Sequence, residues 1–337
     1  MPDSAAQPRP KTRPRALGLY SGGLDSILAA LVLDRAGVAV QLVTFASPFF
    51  PPDTARTLAR RHGLTHRVVE LGPAYIDMVR RPPRGRGRYM NPCVDCHAFM
   101  LRQAGGIMEA EGLDFLFTGE VLNQRPMSQT KSSLNAVAKD SGFKERILRP
   151  LSARLLPPTP MEESGLVDRE KLLALWGRGR KAQMALAKEF GVTDYPPPAG
   201  GCLLTEPGFS RRLADLWEHD PAAGGPHLEL LKHGRHLRLS PRARLALGRN
   251  QADNEGLEQA APDDAWWLKS LDAPGPLGLY FGPAPSPELE LALGLVAGYG
   301  KTPAGQPARL EAVGPGGVRL EFTLPALPRE RARDLLL

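Results

Sequence analysis

The chain has 337 residues, 42% hydrophobic and 23% charged, enough to bury a substantial core and to divide into two domains. No apolar run reaches the roughly 18 residues of a membrane-spanning helix, and the opening MPDSAAQPRPKTRPR lacks the apolar core of a secretory signal, so no membrane association and a cytoplasmic location are expected. Three cysteines in so long a chain exclude a disulfide framework and leave thiol chemistry or metal ligation, while a net charge of +7 favours a polyanionic partner, nucleic acid first.

Residues 1–15, rich in Pro and Arg, read as a disordered basic tail. Ala16 to Tyr20 predicts a short buried strand, and Ile27 to Arg35 a helix with Ile27, Leu28, Leu31 and Val32 on one face. Between them lies SGGLDS. Gly22 and Gly23 let the backbone approach a ligand without a Cβ in the way, and the helix start presents unpaired N–H groups and a positive dipole end, an anion cradle suited to phosphate. Next come strand VAVQLVTFAS, helix DTARTLARRHG, strand THRVVEL, a helix from Ala98 to Glu111 and strand DFLFTGE. This alternation predicts an α/β domain with a doubly wound parallel sheet over residues 16–218, its ligand site at the carboxyl ends of the strands. The segment HDPAAGGPH, residues 219–227, reads as a linker. Residues 228–337 read as a smaller α+β domain, with strands RARLALGRN, LGLYFG, ARLEAV and GVRLEFTL and a helix over Pro287 to Tyr299.

Two segments compete as the phosphate loop. GLVAGYGKT ends in Gly300-Lys301-Thr302, but a Walker A loop would need a glycine at Leu295 and a preceding strand, and neither is present. SGGLDS has no lysine either, yet it resembles the Ser-Gly-Gly-x-Asp-Ser signature of the PP-loop ATP pyrophosphatases, in strand-turn-helix context. That resemblance implies an adenine nucleotide alpha hydrolase-like fold and cleavage of ATP between its α and β phosphates. It also implies a pyrophosphate cradle at Ser21, Gly22, Gly23, Asp25 and Ser26, with Asp25 holding Mg²⁺ or orienting the polyphosphate and Ser26 donating to it, and adenosine contacts at Thr44 and Phe45. The stretch TGEVLNQRPMSQT, with Thr118, Gly119, Glu120 and Gln124, resembles a segment of the 4-thiouridine synthetases, although Asn123 stands where that family has glycine. ILRPLSARLLPPT resembles the same family.

Cys93 and Cys96 have C-x-x-C spacing, and Cys202 lies in a glycine turn. The trio resembles that of the thiouridine-forming PP-loop enzymes, which implies a [4Fe-4S] cluster held by Cys93, Cys96 and Cys202 with one iron open; NPCVDC also resembles the tRNA 2-thiouridylases. Zinc with His97, or a persulfide on Cys96 resolved by Cys202, are the alternatives. RRPPRGRGRYMNPC places five arginines before the cysteines, and Arg84, Arg86 and Arg88 suit phosphate contacts, with Tyr89 available for stacking. LALGRNQADNEGLEQAAPDDAWWLKSLDAPGPLGLYF resembles the RNA-binding domain of NFACT proteins, implying RNA contacts at Arg249 and Asn250. The combined expectation is ATP-dependent tRNA thiolation, with a uracil carbonyl adenylated and then displaced by sulfur from sulfide or a persulfide carrier. The alternatives are a PP-loop enzyme adding an amine, and a non-catalytic nucleotide-sensing RNA-binding factor.

Overall fold

The computed structural model describes residues 13–197 and 201–337, in two compact units that divide between Cys202 and Leu203. The first unit is the α/β domain. β1 (Arg15–Leu19), α1 (Leu24–Arg35), β2 (Ala39–Ala46), α2 (Asp53–Arg61), β3 (His66–Glu70), α3 (Pro73–Arg80), α4 (Cys93–Ala110), β4 (Phe115–Thr118), α5 (Lys131–Ser141), β5 (Ile147–Leu148), α6 (Pro160–Glu163) and α7 (Lys181–Glu189) follow in order. The five strands form one parallel sheet in the order β3-β2-β1-β4-β5. The chain crosses from one half of the sheet to the other between β1 and β4, and a doubly wound sheet binds its ligands at that switch point.

Side-chain volume explains this pairing. A Cβ at Gly18 would lie 2.1 Å from the Phe117 ring, so the aromatic of β4 fills the space that β1 leaves empty. α1 is buried more fully than a one-faced helix: Ala29, Ala30 and Leu33 are as inaccessible as Ile27 and Leu28, the pattern of a core helix. α4 begins at Cys93, five residues before the expected Ala98, because Pro92 occupies its N-cap and the chain is helical from the next residue. Both cysteines of the pair therefore ride on the first turn of a helix.

The second unit contains α8 (Pro207–His219), α9 (Pro226–Leu230), β6 (Arg235–Ser240), β7 (Ala243–Leu247), α10 (Gln251–Gln259), β8 (Trp266–Ser270), β9 (Gly278–Phe281), α11 (Pro287–Tyr299), β10 (Pro307–Val313) and β11 (Arg319–Pro325). Its six strands pair antiparallel in the order β11-β10-β8-β9-β7-β6. α11 packs on this sheet through Leu289, Leu293 and Val296.

The boundary at Cys202 precedes the anticipated linker. α8 belongs to the second unit because Asp215 holds Arg238 of β6 through two hydrogen bonds, at 3.1 and 2.6 Å, and Trp217 Nε1 donates to the Ala223 carbonyl. Residues 1–12 of the anticipated tail lie outside the described residues. The last three differ from that expectation: Arg13 bonds Asp34 and the Val38 carbonyl, and Arg15 opens β1. Among the described residues no helix is long and apolar enough to cross a membrane.

Candidate active site

The turn after β1 is built by two glycines with different jobs. Gly22 has φ +74°, and a Cβ there would stand 2.9 Å from the Ala55 Cα at the start of α2. Gly23 is the N-cap of α1, and a Cβ there meets only the Ser21 hydroxyl at 3.3 Å, so its outer face is open to a ligand. Ser26 is buried and its hydroxyl donates to the Gly23 carbonyl at 2.8 Å. This bond shapes the turn from within. Ser21 stays exposed at the lip, accepting from Gly23 N–H.

The loop after β4 meets this turn directly. Leu19 and Thr118 are register partners, and a Cβ at Gly119 would fall 2.7 Å from the backbone of Asp25 and Ser26. Only glycine permits the two loops to touch. Asp25 faces that junction with Oδ1 buried and without a partner. Burial raises its pKa, opposed by hydrogen bonds from Gln124 and Gln183 and by the charges of Arg180 and Arg125. A carboxylate under the influence of two guanidinium charges matches a metal-bearing polyphosphate. Asn123 stands at φ +60°, in the left-handed region that asparagine tolerates.

Glu120, expected at the nucleotide, is held by groups of the protein itself. It is buried and its carboxylate is fully engaged. Arg149 Nε donates to Oε2 at 2.9 Å, Thr118 donates to the same oxygen at 3.0 Å, and His97 Nδ1 lies 3.1 Å from Oε1. Burial alone would raise its pKa, but Arg149 and His97 overcome that and hold it down to about 2. Arg149 also donates to the Leu134 carbonyl. One carboxylate thus joins the loop after β4, the RPL segment after β5 and the helix that carries the cysteines.

Thr44 is similarly committed, donating to the Tyr20 carbonyl at 2.5 Å and touching His66 Nε2 at 2.7 Å. Phe45 is buried, so it offers a ligand at that strand end mainly its main chain.

No disulfide joins the cysteines. Cys96 is buried, its sulfur 3.2 Å from the Tyr75 hydroxyl. Burial pushes its thiol up to about 12, and the nearby Cys202 and Cys93 push in the same direction. Burial also raises Cys93. The three sulfurs therefore share one electrostatic neighbourhood. Among the described residues, however, no three His, Cys, Asp or Glu side chains stand where they could hold a metal ion. The donor types suit a cluster and the arrangement does not form one.

Of the arginines before the cysteines, Arg84 is paired with Asp140, its main-chain N–H bonds Asp95, and Arg86 donates to the Arg80 carbonyl. Arg88 lies over the exposed ring of Tyr89, 4.9 Å from its centroid. A second, similar segment, Trp176-Gly177-Arg178-Gly179-Arg180, escaped the sequence reading. Trp176 is 66% exposed, bridges to Leu122, and leads to Arg180 beside Asp25. Its signal was the Arg-Gly-Arg pattern itself, repeated from residues 84–88.

In the second unit, Asn250 caps α10, accepting from Asp253 N–H at 2.9 Å, and Arg249 pairs with Asp253 through Nε and Nη2. Both residues assigned to RNA contact are thus also engaged in building their own loop.

A parallel sheet with a glycine turn at its switch point and a second glycine loop locked against it defines a doubly wound α/β domain whose strand ends form the candidate ligand site. Residues 11–154 match the family model described as Thiamine biosynthesis protein (ThiI), and residues 234–334 match that described as NFACT protein RNA binding domain. The two matches fall on different units, the first within residues 1–202 and the second within residues 203–337. A tRNA sulfurtransferase of Erwinia tasmaniensis is 32% identical over 149 residues, 42% of this chain and 29% of that protein. The tRNA-specific 2-thiouridylase MnmA 3 of Bacteroides fragilis is 31% identical over 113 residues, 32% of this chain and 31% of that protein. The tRNA-specific 2-thiouridylase MnmA 1 of Syntrophus aciditrophicus is 24% identical over 235 residues, 61% of each chain. The chain spans under a third of the first two relatives. The first family match includes Asp25, Cys93, Cys96, Glu120 and Arg149 and ends before Arg180, Gln183 and Cys202.

Proposed function

We propose that this chain is an ATP-dependent tRNA sulfurtransferase. ATP enters with Mg²⁺, its polyphosphate against the Ser21–Gly23 turn and the first turn of α1, with Asp25 toward the metal and Arg125 and Arg180 toward the phosphates. A uracil carbonyl oxygen of the RNA attacks the α-phosphorus, the P–O bond to pyrophosphate breaks, and the base carries AMP. A sulfur nucleophile then forms the C–S bond and AMP leaves with the oxygen. The observation that supports this most is the contact of Gly119 with the Asp25–Ser26 backbone, continued by the Glu120 bridge to His97 beside Cys96. The SGGLDS turn and the cysteine helix thereby meet at one junction. The matches to tRNA sulfurtransferases and thiouridylases, and the RNA-binding domain model, support the RNA substrate.

The three cysteines are the sulfur-handling group in this proposal, and sulfide or a persulfide carrier is the donor. A [4Fe-4S] cluster on Cys93, Cys96 and Cys202 is its finer form; the three-thiol donor set supports it, the described arrangement does not form such a site, and no step above is routed through it. A cytoplasmic location belongs to the same proposal. The test is pyrophosphate release on adding tRNA, followed by mass spectrometry of its nucleosides, with iron and sulfide measured in anaerobically purified protein. Thiolated uridine formed by the wild type and lost in Cys96→Ala and Cys202→Ala is the expected result. Pyrophosphate release without thiolation would favour amine addition, and release of none a nucleotide sensor. Near four iron and four sulfide per chain is the result expected of the cluster.

A further inference from the structure

A uracil whose carbonyl oxygen must reach the α-phosphorus of ATP has to leave the stack of its neighbouring bases, and a protein that acts on such a base replaces the lost stacking with its own side chains. Tyr89, the aromatic expected to stack, already carries Arg88 over its ring. The more exposed aromatic of the first unit is Trp176, which with Arg178 has no part in the reaction proposed above.

One exposed tryptophan is ordinary on a protein surface, but the main chain beneath this one is held at every second residue. Leu173 N–H donates to the Pro150 carbonyl at 2.9 Å, Leu175 N–H to that of Leu151 at 2.8 Å, and Gly177 N–H to that of Leu122 at 2.8 Å. The Ser152 hydroxyl donates to the Leu175 carbonyl at 2.7 Å and accepts from Leu122 N–H at 2.9 Å. Leu173 and Leu175 turn inward onto the core of the first unit. The alternation of an extended chain therefore sends Ala174 and Trp176 outward, so the indole stands exposed on a fixed base.

This strip runs to the candidate ATP site. Leu122, which accepts from Gly177, lies two residues before Gln124, and the Gln124 side chain bonds Asp25. Gln183, on the first turn of α7 beyond the strip, bonds Asp25 as well. The Trp-Gly-Arg-Gly-Arg segment is thus tied down on one side at Leu122 and on the other at Asp25. Within it Arg178 is exposed and has no ion pair among the described residues. Residues 121–139 and 172–188, the two stretches that meet here, contain seven Lys or Arg and no Asp or Glu, a surface that attracts a polyanion.

We infer that Trp176 is the stacking platform for the RNA base to be activated and that Arg178 holds the phosphate of that nucleotide. The inference rests on the reaction proposed above and names the residues that seat its substrate. It lies outside both family matches, since neither includes residues 172–188.

The full-length chain, without ATP or any sulfur source, is titrated with oligouridylate while tryptophan emission is followed. The wild type is expected to lose emission that Trp176→Phe does not lose, the difference separating this indole from Trp217, Trp266 and Trp267. With unmodified tRNA transcript and ATP, Trp176→Ala is expected to raise the KM for transcript about 5- to 150-fold, the effect of losing one base–aromatic stack. The KM for ATP should stay unchanged, and Trp176→Phe should restore most of the loss. Arg178→Ala should flatten the slope of log affinity for oligouridylate against log salt by about 0.7; an unchanged slope would refute its phosphate contact. Both side chains are exposed, and circular dichroism checks the fold of each variant. Equal emission loss in wild type and Trp176→Phe would overturn the platform, as would a wild-type KM for transcript in Trp176→Ala. Quenching by ATP alone would overturn it too, giving the indole to adenine. If transcript drives no pyrophosphate release while the oligouridylate difference persists, the reaction fails and the platform stands. Normal release without that difference leaves the reaction standing and removes the platform.

Discussion

Asp25 carries a charge that its surroundings oppose, since burial raises its pKa and Oδ1 has no partner. A group held at such a cost in a cleft is a functional candidate on physical grounds. Asp25→Asn removes the ionised form and keeps the shape, so the variant is expected to melt at or above the wild-type temperature at neutral pH. Its pyrophosphate release should fall by on the order of 10² to 10³, the range for losing one electrostatic stabiliser. Calorimetry and a pyrophosphate assay on the same preparation check both, and a less stable but active variant would refute the assignment. At Gly119 the limit is steric. Gly119→Ala places a methyl 2.7 Å from the Asp25–Ser26 backbone and is expected to cost about 1–3 kcal/mol and to abolish ATP binding, read by urea unfolding and nucleotide titration. Gly23→Ala, whose Cβ meets only a serine hydroxyl, should spare stability and still weaken ATP binding.

Three elements meet at Glu120, and their contacts have a pH signature. The Glu120 carboxyl falls from an ordinary 4.5 to about 2 in the folded chain. A depressed carboxyl stabilises the fold fully above its unfolded value and loses that contribution as pH falls through the folded one. Wild-type stability is therefore expected to decline between about pH 4.5 and 2, with a steeper slope than Glu120→Gln shows in the same window, measured by urea unfolding at each pH. Arg149→Met leaves the buried carboxylate without its main counter-charge and is expected to cost about 3–5 kcal/mol. Because the same carboxylate touches His97 on α4, this variant should also change the alkylation rate of Cys93. A structural change confined to the RPL segment would leave that rate unmoved.

For the whole chain, the division at Cys202 changes where it should be cut. A fragment ending at 225 retains α8, whose Phe209, Leu213 and Leu216 are buried in the second unit, while deleting the strands that the helix accompanies. Such a fragment is expected to aggregate. One ending at 202 should remain monodisperse and bind ATP, as light scattering and nucleotide titration will test. Its RNA affinity should drop, since the match to the RNA binding domain model goes with the second unit.

SGGLDS and TGE were legible as ligand loops because each needs only a few residues in a row, a strand end and a glycine turn. The alternation of strands and helices in the first unit was legible for the same reason, being a local period. The longer reach of α4 was not, since a proline N-cap looks like a helix stop when the chain is read toward it. Nor were the partners of Glu120 visible, because Arg149 lies 29 residues away and charge pairing leaves no periodic trace. The sequence by itself determined which segments could hold phosphate, thiol and RNA. Only the tertiary structure decided which side chains remain available, because hydrogen-bonding capacity is finite: Ser26, Thr44, Glu120 and Arg84 bond within the fold, whereas the buried Oδ1 of Asp25 is left without a partner.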